Sequence, residues 1–234
     1  MFTITGETLR SIKLFSELDL TTRDLIASYC TARRFAPGQA VISQNDTSEH
    51  VHLLISGSVS VTIYAPSGKA ALLQDKGAGE IIGELSAIDG KSRSAYAIAN
   101  EETIAAVLSR EDFVAAVIGN PTVAKNLLEK LVGDVRILSS RIFEFTTMAV
   151  ANRVQAELLR LARKQSFDGN QCEILDMPTH AEIANRISSH REAVTKEINR
   201  LVKIDILEKS GRHLVVRDVD KLQSLVQSEY KAKL

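Results

Sequence analysis

The chain has 234 residues, of which 44% are hydrophobic, and its 29 Lys and Arg residues balance 29 Asp and Glu residues, so one large domain or two modest ones with a buried core are expected. No apolar stretch approaches the roughly 18 to 20 residues of a membrane span, and the two cysteines, Cys30 and Cys172, are too few for a disulfide framework, an iron–sulfur cluster or a zinc site. The first residues lack a basic start followed by an apolar core, so we expect no secretory signal, a cytoplasmic location and no membrane partner.

The first 110 residues are predicted to be mainly short β-strands after an opening of short helices. Residues 8–30 contain two helical patterns, the second with Thr21 or Thr22 as its N-cap. From residue 34 onward, β-rich runs alternate with turn sequences such as Pro37-Gly38, and Ser58–Tyr64 alternates with period 2. Many short strands at this spacing favour a β-barrel or a sandwich.

Residues 120–149 change to a helical period. Asn120-Pro121 is a typical helix start, and apolar residues then recur at alternating spacings of three and four. They are Leu128, Leu131, Val135, Leu138, Ile142, Phe145 and Ala149. This heptad favours pairing with an identical helix along a two-fold axis, and we predict a homodimer through the first six of these residues. The alternative is a core helix of the same chain, which more often shows a wider apolar stripe.

Residues 178–216 have the pattern of a winged helix-turn-helix. Thr179 and Glu182 form a capping box before a short helix, and residues 188–190 make a turn. Arg191–Lys203 is predicted to be a second helix, and Ser210-Gly211 the turn of a hairpin. Residues 151–234 carry 15 Lys or Arg against 12 Asp or Glu, a weak basic excess at the end where an anionic polymer would bind.

The sequence GEIIGELSAIDGKSRSA, residues 79–95, interrupts an apolar run with Gly83 and Glu84. Arg93 offers a planar fork to two phosphate oxygens, Ser94 offers a hydroxyl, and a glycine allows a close backbone approach. Glu84 would repel phosphate, so its natural partner is a sugar hydroxyl. The combination predicts a sugar phosphate as ligand. Taken separately, Arg93 could be a solvated loop arginine and Glu84 a helix-capping carboxylate.

Gly83-Glu84-Leu85, a loop and then Arg93-Ser94-Ala95 resemble the phosphate-binding cassette of cyclic-nucleotide-binding domains. With the heptad helix and the helix-turn-helix, nearly the whole chain is similar to the cyclic-AMP receptor protein and fumarate-nitrate regulator family of bacterial transcription factors. The resemblance implies an α+β fold. A β-roll, a double-stranded jelly-roll-like barrel that binds the cyclic nucleotide, would occupy residues 1–119, a dimerisation helix residues 120–149 and the winged helix-turn-helix residues 150–234.

The resemblance also assigns roles in the ligand site. Arg93 and Ser94 would bind the cyclic phosphate and Glu84 the ribose 2′-OH, with Gly83 and Leu85 completing the cassette. In this family the base is met on the long helix, where the matching residues here are Leu138, Ser139 and Ser140. Ser139 flanks the heptad seam and can reach a base, whereas Ser140 points away. Leu138 stands where the best-known member has a threonine, so cyclic AMP is expected and cyclic GMP stays open.

Arg191-Glu192-x-x-x-Lys196 resembles the recognition-helix pattern of the family. Arg191 would read guanine, Glu192 cytosine, and Lys196 guanine or phosphate. Two alternatives from the residues are an exposed Glu192–Lys196 pair and a capping box of Ser189 with Glu192. Backbone N–H groups at the start of the first helix are expected to contact phosphate. The predicted DNA-binding set is Thr179, His180, Ser189, His190, Arg191, Glu192, Thr195 and Lys196.

These observations predict a cyclic-nucleotide-responsive transcription regulator that binds an inverted-repeat operator as a homodimer and, by resemblance, acts with RNA polymerase. The chain is not expected to be an enzyme, because we find no paired acids, no nucleophile beside a histidine and no phosphate-loop lysine. The alternatives are the same fold sensing a redox signal or a gas through haem, and a cyclic-nucleotide effector that does not bind DNA. His50 and His52 share a strand face and are expected to be surface residues, so no metal site is predicted.

Overall fold

The computed structural model describes residues 3–64, 70–175, 177–211 and 213–231. The helices are α1 (Gly6–Leu9), α2 (Leu20–Ser28), α3 (Glu84–Asp89), α4 (Arg110–Gly119), α5 (Pro121–Thr147), α6 (Val150–Ala162), α7 (His180–Arg186), α8 (Arg191–Lys203) and α9 (Val219–Lys231). The strands are β1 (Thr31–Phe35), β2 (Ala40–Ile42), β3 (Val51–Ser56), β4 (Ser58–Tyr64), β5 (Ala70–Gly77), β6 (Ile81–Ile82), β7 (Tyr96–Ala99), β8 (Thr103–Leu108), β9 (Phe167–Asp168), β10 (Gln171–Ile174), β11 (Leu207–Ser210) and β12 (His213–Val216). Contacts divide the chain into a first unit, residues 1–136, and a second unit, residues 137–234.

The first unit contains two four-stranded antiparallel sheets, with strand orders β1-β8-β3-β6 and β2-β7-β4-β5. Apolar side chains of both sheets form one buried cluster between them, which includes Phe35 and Leu54 of the first sheet and Val59 of the second. A second cluster packs α1, α2 and α4 on the other face of the first sheet. The predicted barrel or sandwich is therefore confirmed.

The predicted N-cap of α2 is wrong. Asp19 precedes the helix and its Oδ1 accepts a hydrogen bond from the backbone N–H of Thr22 at 2.9 Å, so the threonines lie inside α2. A carboxylate at this position satisfies a free N–H and also interacts favourably with the positive end of the helix dipole. This makes Asp19 a better cap than either threonine.

The long helix α5 begins at Pro121 as predicted, and it ends at Thr147. Ala149, the last residue of the heptad pattern, is the N-cap of α6 and lies outside α5. Leu131 is half-buried against the core of the first unit. Leu128, Val135 and Ile142, which occupy the first position of successive heptads, are 62–63% exposed. An exposed apolar stripe therefore runs along α5, and its pairing with a second copy stays a prediction.

The second unit has the predicted winged helix-turn-helix. α8 covers Arg191–Lys203 as predicted, and β11 and β12 form the hairpin around Gly211. Two further strands, β9 and β10, extend the hairpin to a four-stranded sheet, and α9 follows it. None of these three elements was predicted. The two strands show little local pattern, because β9 and β10 have only two and four residues and β10 pairs with a strand about forty residues away.

Candidate functional site

The cassette is built around Gly83, which adopts a left-handed conformation with φ +87° directly before α3. A Cβ added at this position would lie 2.7 Å from Arg93 Nη1 and 2.9 Å from the carbonyl oxygen of His50. Both the backbone angle and the space therefore require glycine. The sequence predicts that a ligand approaches the Gly83 backbone closely, and in this structure the side chain of Arg93 lies there.

Arg93 is only 2% exposed, so it is not a solvated loop arginine. Its Nη1 donates to the carbonyl of Gly83 at 2.7 Å, its Nη2 to the carbonyl of His50 at 2.6 Å, and its Nε to Ser48 Oγ at 3.3 Å. A guanidinium has five N–H groups, so one remains on each terminal nitrogen. These two donors match the two oxygens of a phosphate.

The charge environment of Arg93 is mixed. Burial lowers the pKa of Arg93, and the carboxylates of Asp46, Glu84 and Glu49 act in the opposite direction. The backbone of Arg93 is also fixed, since its N–H donates to the carbonyl of Asp46 at 2.8 Å. The guanidinium is therefore a positioned cation among acidic groups.

Glu84 is the first residue of α3, and it is buried and bound to a cation rather than capping the helix. Its carboxylate pairs with Lys130 of α5, whose Nζ also lies 2.9 Å from Asp134 Oδ2. Asp134 Oδ1 in turn lies 2.8 Å from Lys76 Nζ on β5. These four side chains, here termed the cassette ion cluster, connect the cassette to the long helix. Sequence reasoning missed the cluster because Glu84 and Lys130 are far apart in the chain.

The expectation that His50 and His52 are surface residues on one strand is wrong for His52. His50 is exposed but precedes β3, whereas His52 lies within β3 and is 5% exposed. Its ring packs edge-on against Phe35, with the ring centroids 6.1 Å apart. Burial, helped by the charge of Arg93, lowers the pKa of His52 to about 3. His52 is therefore a neutral core residue.

The remaining predicted ligand residues differ in exposure. Leu85 and Ser94 are exposed within the first unit. Leu138, Ser139 and Ser140 belong to the part of α5 in the second unit, where Leu138 is half-buried and the two serines are exposed. Contact between these three residues and a base stays a prediction.

The helix α8 buries one face and exposes the opposite one. Val194, Ile198 and Leu201 are fully buried. Arg191 and Lys196 are exposed, and with three further residues they border an open concavity of about 430 Å³. Those three residues are Glu192, Thr195 and Asn199. A helix that presents basic and polar side chains beside a wing is suited to enter a DNA groove.

Neither structural alternative for Glu192 is found. The residue before α8 is His190, which makes no side-chain capping hydrogen bond, so the capping box proposed for Ser189 and Glu192 is wrong. In the described part of the chain, no ion pair within 4.0 Å joins Glu192 to Lys196. Glu192 is exposed and is therefore available to a base.

The start of α7 contains the predicted capping box. The Oγ1 of Thr179 accepts from the N–H of Glu182 at 3.2 Å, and Glu182 Oε2 accepts from the N–H of Thr179 at 2.6 Å. The backbone N–H of Thr179 is thus already bonded, so the predicted phosphate contact through this group would require opening the box. His180 follows, and its Nδ1 lies 2.7 Å from Thr195 Oγ1 of α8.

A second buried ion cluster, not predicted from the sequence, ties the end of α5 to α6 and α7. Glu157 of α6 is 2% exposed and contacts Arg160 at 2.9 Å, Arg141 of α5 at 3.3 Å and Arg186 of α7 at 3.5 Å. Arg160 also contacts Glu144 of α5 at 2.7 Å. Burial raises the pKa of Glu157, but the three arginines outweigh this and keep it below its ordinary value.

Comparison with known proteins adds independent findings. A model of the cyclic nucleotide-binding domain matches residues 32–119, and a model of the Crp-like helix-turn-helix domain matches residues 152–225. The cyclic AMP receptor protein of Thermus thermophilus is 29% identical over 217 residues, which cover 93% of this chain and 98% of that protein. The chain belongs to the cyclic-AMP receptor protein and fumarate-nitrate regulator (CRP/FNR) family.

Other members of the CRP/FNR family are also similar over most of the chain. A CRP-like cAMP-activated global transcriptional regulator of Mycobacterium tuberculosis is 25% identical and covers 80% of this chain and 84% of its own length. The structure of FixK2 from Bradyrhizobium japonicum matches with a TM-score of 0.73 at 20% identity, covering 84% of this chain and 96% of that one, and supports the fold. The predicted family and fold are confirmed, and the chain is a CRP/FNR-like cyclic-nucleotide-binding transcription regulator. The exact domain boundaries stay predictions.

None of the helices in the described ranges is both long enough and apolar enough to cross a bilayer. The same residues contain no group of three or more His, Cys, Asp or Glu side chains placed to hold a metal ion.

Proposed function

We propose that this CRP/FNR-family chain is a homodimeric regulator that binds cyclic AMP and then an inverted-repeat DNA operator. The observation that carries the ligand assignment is the placement of two buried side chains of opposite charge, Arg93 and Glu84, beside the left-handed Gly83. One cation with two free N–H donors and one carboxylate suit a phosphate next to a sugar hydroxyl. Relatives at 25–29% identity are named as cyclic-AMP-dependent proteins, which supports the same effector here.

Glu84 can serve a ribose hydroxyl while it stays paired with Lys130. A carboxylate has two oxygens with about four acceptor sites, and Lys130 contacts only Oε1. Oε2 therefore has capacity for a hydroxyl donor. Ser94, which is exposed, would add a hydrogen bond to the phosphate. Cyclic GMP is the alternative effector, because Leu138 stands at a proposed base contact and offers no polar atom to choose between the bases.

The proposed DNA contacts lie on α8. Arg191 would donate to guanine O6 and N7, Glu192 would accept from cytosine N4, and Lys196 would reach guanine or phosphate. Their exposure around one concavity supports a shared binding surface. The neighbouring residues Ser189 and His190 would lie at the phosphates. By family resemblance each half-site has a TGT-like core, and RNA polymerase is the further protein partner.

The homodimer is proposed from the apolar stripe on α5. Leu128, Val135 and Ile142 repeat every seven residues and are largely exposed, and Phe145 is exposed near the end of the helix. Exposed apolar residues at this period are typical of a helix that pairs with an identical helix. Two such chains related by a two-fold axis would present two α8 helices to two half-sites about one helical turn apart.

Two titrations test the proposal. Calorimetry with cyclic AMP and cyclic GMP, against adenosine monophosphate as a control, measures ligand choice. Fluorescence anisotropy on an inverted-repeat duplex, with and without the nucleotide, measures DNA affinity. We expect cyclic AMP to bind and to tighten DNA binding. DNA affinity that is identical with and without each nucleotide would contradict ligand gating, and no binding of either nucleotide would contradict the effector.

A further inference from the structure

His180 of α7 is joined to the DNA-facing helix α8 by a hydrogen bond that fixes its protonation pattern. Its Nδ1 lies 2.7 Å from Thr195 Oγ1, and the same hydroxyl donates to the carbonyl of Arg191 at 3.0 Å. A hydroxyl has one proton, so the oxygen of Thr195 acts as acceptor toward the ring and Nδ1 acts as donor. This network assigns the Nδ1–H tautomer to the neutral imidazole and leaves a lone pair on Nε2.

The imidazole borders the surface from which Arg191 extends. His180 is half-buried and, with Thr179, Ala181 and Arg191, it lines an open concavity of about 500 Å³. Among the residues that the structure describes, none hydrogen-bonds to Nε2 of His180. The ring is thus held at one nitrogen by the recognition helix, while the other nitrogen is free to gain a proton and donate it.

We propose that His180 is a proton-linked DNA contact, which donates from a protonated Nε2 to an acceptor of the duplex and so strengthens binding as the pH falls. The inference rests on the proposed function, because it requires DNA on α8. The acceptor is either a phosphate oxygen or the N7 of a guanine. Both are anionic or electron-rich groups that favour an imidazolium over a neutral ring.

The charges around His180 keep the ring neutral in the free protein. Burial, followed by Lys209 of β11 and Arg191 of α8, lowers the pKa of His180 below its ordinary value. On its own helix, Glu182 is bound to the backbone of Thr179. On α8, the charged neighbours of Thr195 in this region are Glu192 and Lys196, which have opposite signs.

A bound DNA duplex would instead favour the protonated ring of His180. A nearby phosphate offsets the two cations and raises the pKa of His180 in the complex, so binding takes up a proton. Affinity should be constant above the pKa of the complex, rise as the pH falls through that value, and level off below the pKa of the free protein. Each unit of difference between the two pKa values corresponds to about a tenfold gain per half-site.

The test is an anisotropy titration at saturating cyclic nucleotide and constant ionic strength, from about pH 5.5 to about pH 8.5, which brackets an ordinary imidazole pKa. His180→Asn keeps an amide donor for Thr195 but cannot titrate. His50→Gln is the matched control, since it removes an exposed histidine of the first unit. We expect wild type and His50→Gln to bind more tightly as the pH falls, and His180→Asn to bind with a smaller pH dependence, because only His190 at the start of α8 would then remain to titrate beside the phosphates.

Two duplexes distinguish the acceptors. A phosphate contact gives the same pH dependence on the inverted-repeat duplex and on a scrambled duplex of equal length, whereas a guanine contact gives it only on the inverted repeat. Thr195→Val, which removes the hydroxyl that holds Nδ1, should move the midpoint of the pH profile while retaining its slope. Equal slopes for wild type and His180→Asn would overturn the inference.

A spectroscopic measurement gives a readout independent of affinity. The imidazole resonance of His180, assigned by its loss in His180→Asn, should titrate at higher pH with duplex than without it. An unchanged titration midpoint in a complex that does form would overturn the inference and leave the proposed function intact. If wild type binds neither duplex at any pH, the proposed DNA binding fails, and the inference fails with it.

Discussion

Replacing Lys130 with Met should destabilise the first unit by about 3 kcal/mol, because it leaves the buried Glu84 carboxylate without its cation. The side chains of Glu84 and Asp134 are 8% and 17% exposed, and Lys130 Nζ contacts both. Removing one partner of a buried ion pair typically costs about 3–5 kcal/mol. We take the lower end because the Lys130 side chain is 21% exposed. Methionine keeps most of the aliphatic stem, so packing should change little.

Thermal unfolding measures this effect. For a unit of this size, about 3 kcal/mol corresponds to a fall of roughly 10 °C in the melting temperature. Lys125→Met is the matched control, since Lys125 lies on the same helix and pairs with Glu129 at 3.4 Å, with both side chains about two-thirds exposed. Loss of that pair should change stability by no more than about 0.5 kcal/mol. A Lys130→Met protein as stable as Lys125→Met would refute the reasoning.

The difference in stability between wild type and Lys130→Met should depend on pH. Burial of Asp134 opposes its charged form, but hydrogen bonds from Lys76 and Lys130 keep the pKa of Asp134 below its ordinary 3.8. The contribution of the Asp134 carboxylate to the free energy of unfolding is present above pH 3.8 and is lost as the pH falls through the folded-state pKa. Burial also opposes the charge of Lys130, but Glu84 and Asp134 raise its pKa above 10.5, so its contribution is complete below pH 10.5. The difference between wild type and Lys130→Met should be constant near neutrality and shrink in acid.

The remaining predictions concern the ligand, the dimer and the DNA. Arg93→Ala should lower cyclic-nucleotide affinity by on the order of a hundredfold or more in calorimetry, and should also lower the melting temperature, because the carbonyls of Gly83 and His50 lose their donor. Ser94→Ala should weaken binding by roughly tenfold without changing the melting temperature, since the residue is exposed; unchanged affinity in both variants would argue against the cassette. The double substitution Val135→Asp and Ile142→Asp should give monomers by light scattering, and an intact dimer would show that the stripe does not pair. Arg191→Ala should remove the preference for one guanine at about 1–3 kcal/mol per half-site in anisotropy, and a retained preference would reassign the base contact.

The parts of the fold that sequence reasoning predicted are those set by local pattern. The bounds of α8 follow from a period of 3.6 between two turn sequences, and the start of α5 follows from Pro121. The strand β10 was missed because its four residues are too few to show a period, and its pairing with β12 depends on tertiary contact. The cap of α2 was misplaced because Asp19, Thr21 and Thr22 are all residue types that favour an N-cap, and only the structure shows which side chain accepts.

In the candidate site, too, features set by local sequence pattern were predicted and features set by tertiary contacts were not. The sequence predicts the cassette because Gly83, Glu84 and Arg93 lie within eleven positions of one another. It does not predict the ion-pair partner of Glu84, because Lys130 approaches Glu84 only after α5 packs against the β-roll of its own unit. The Nδ1 bond of His180 was also unreadable from the sequence, since a spacing of fifteen residues across a helix-turn-helix does not reveal which side chains meet.

A regulator gated by a ligand needs that ligand to interact differently with two states of the protein. In the first unit, the ligand's proposed sugar contact, Glu84, is also the residue that binds Lys130 of α5. In the second unit, Arg141 and Glu144 of the same helix bind the buried charges of α6. A ribose hydroxyl that donates a hydrogen bond to Glu84 would weaken the ion pair between Glu84 and Lys130. A ligand that leaves this ion pair unchanged could not act on α5 through it.

Coupling between two binding sites is reciprocal, so if the nucleotide tightens DNA binding through α5, DNA must tighten nucleotide binding by the same factor. Lys130→Met should therefore reduce both factors equally, as measured by calorimetry with and without the duplex. A loss in only one direction would contradict equilibrium coupling, and full coupling in the variant would show that it does not pass through Lys130.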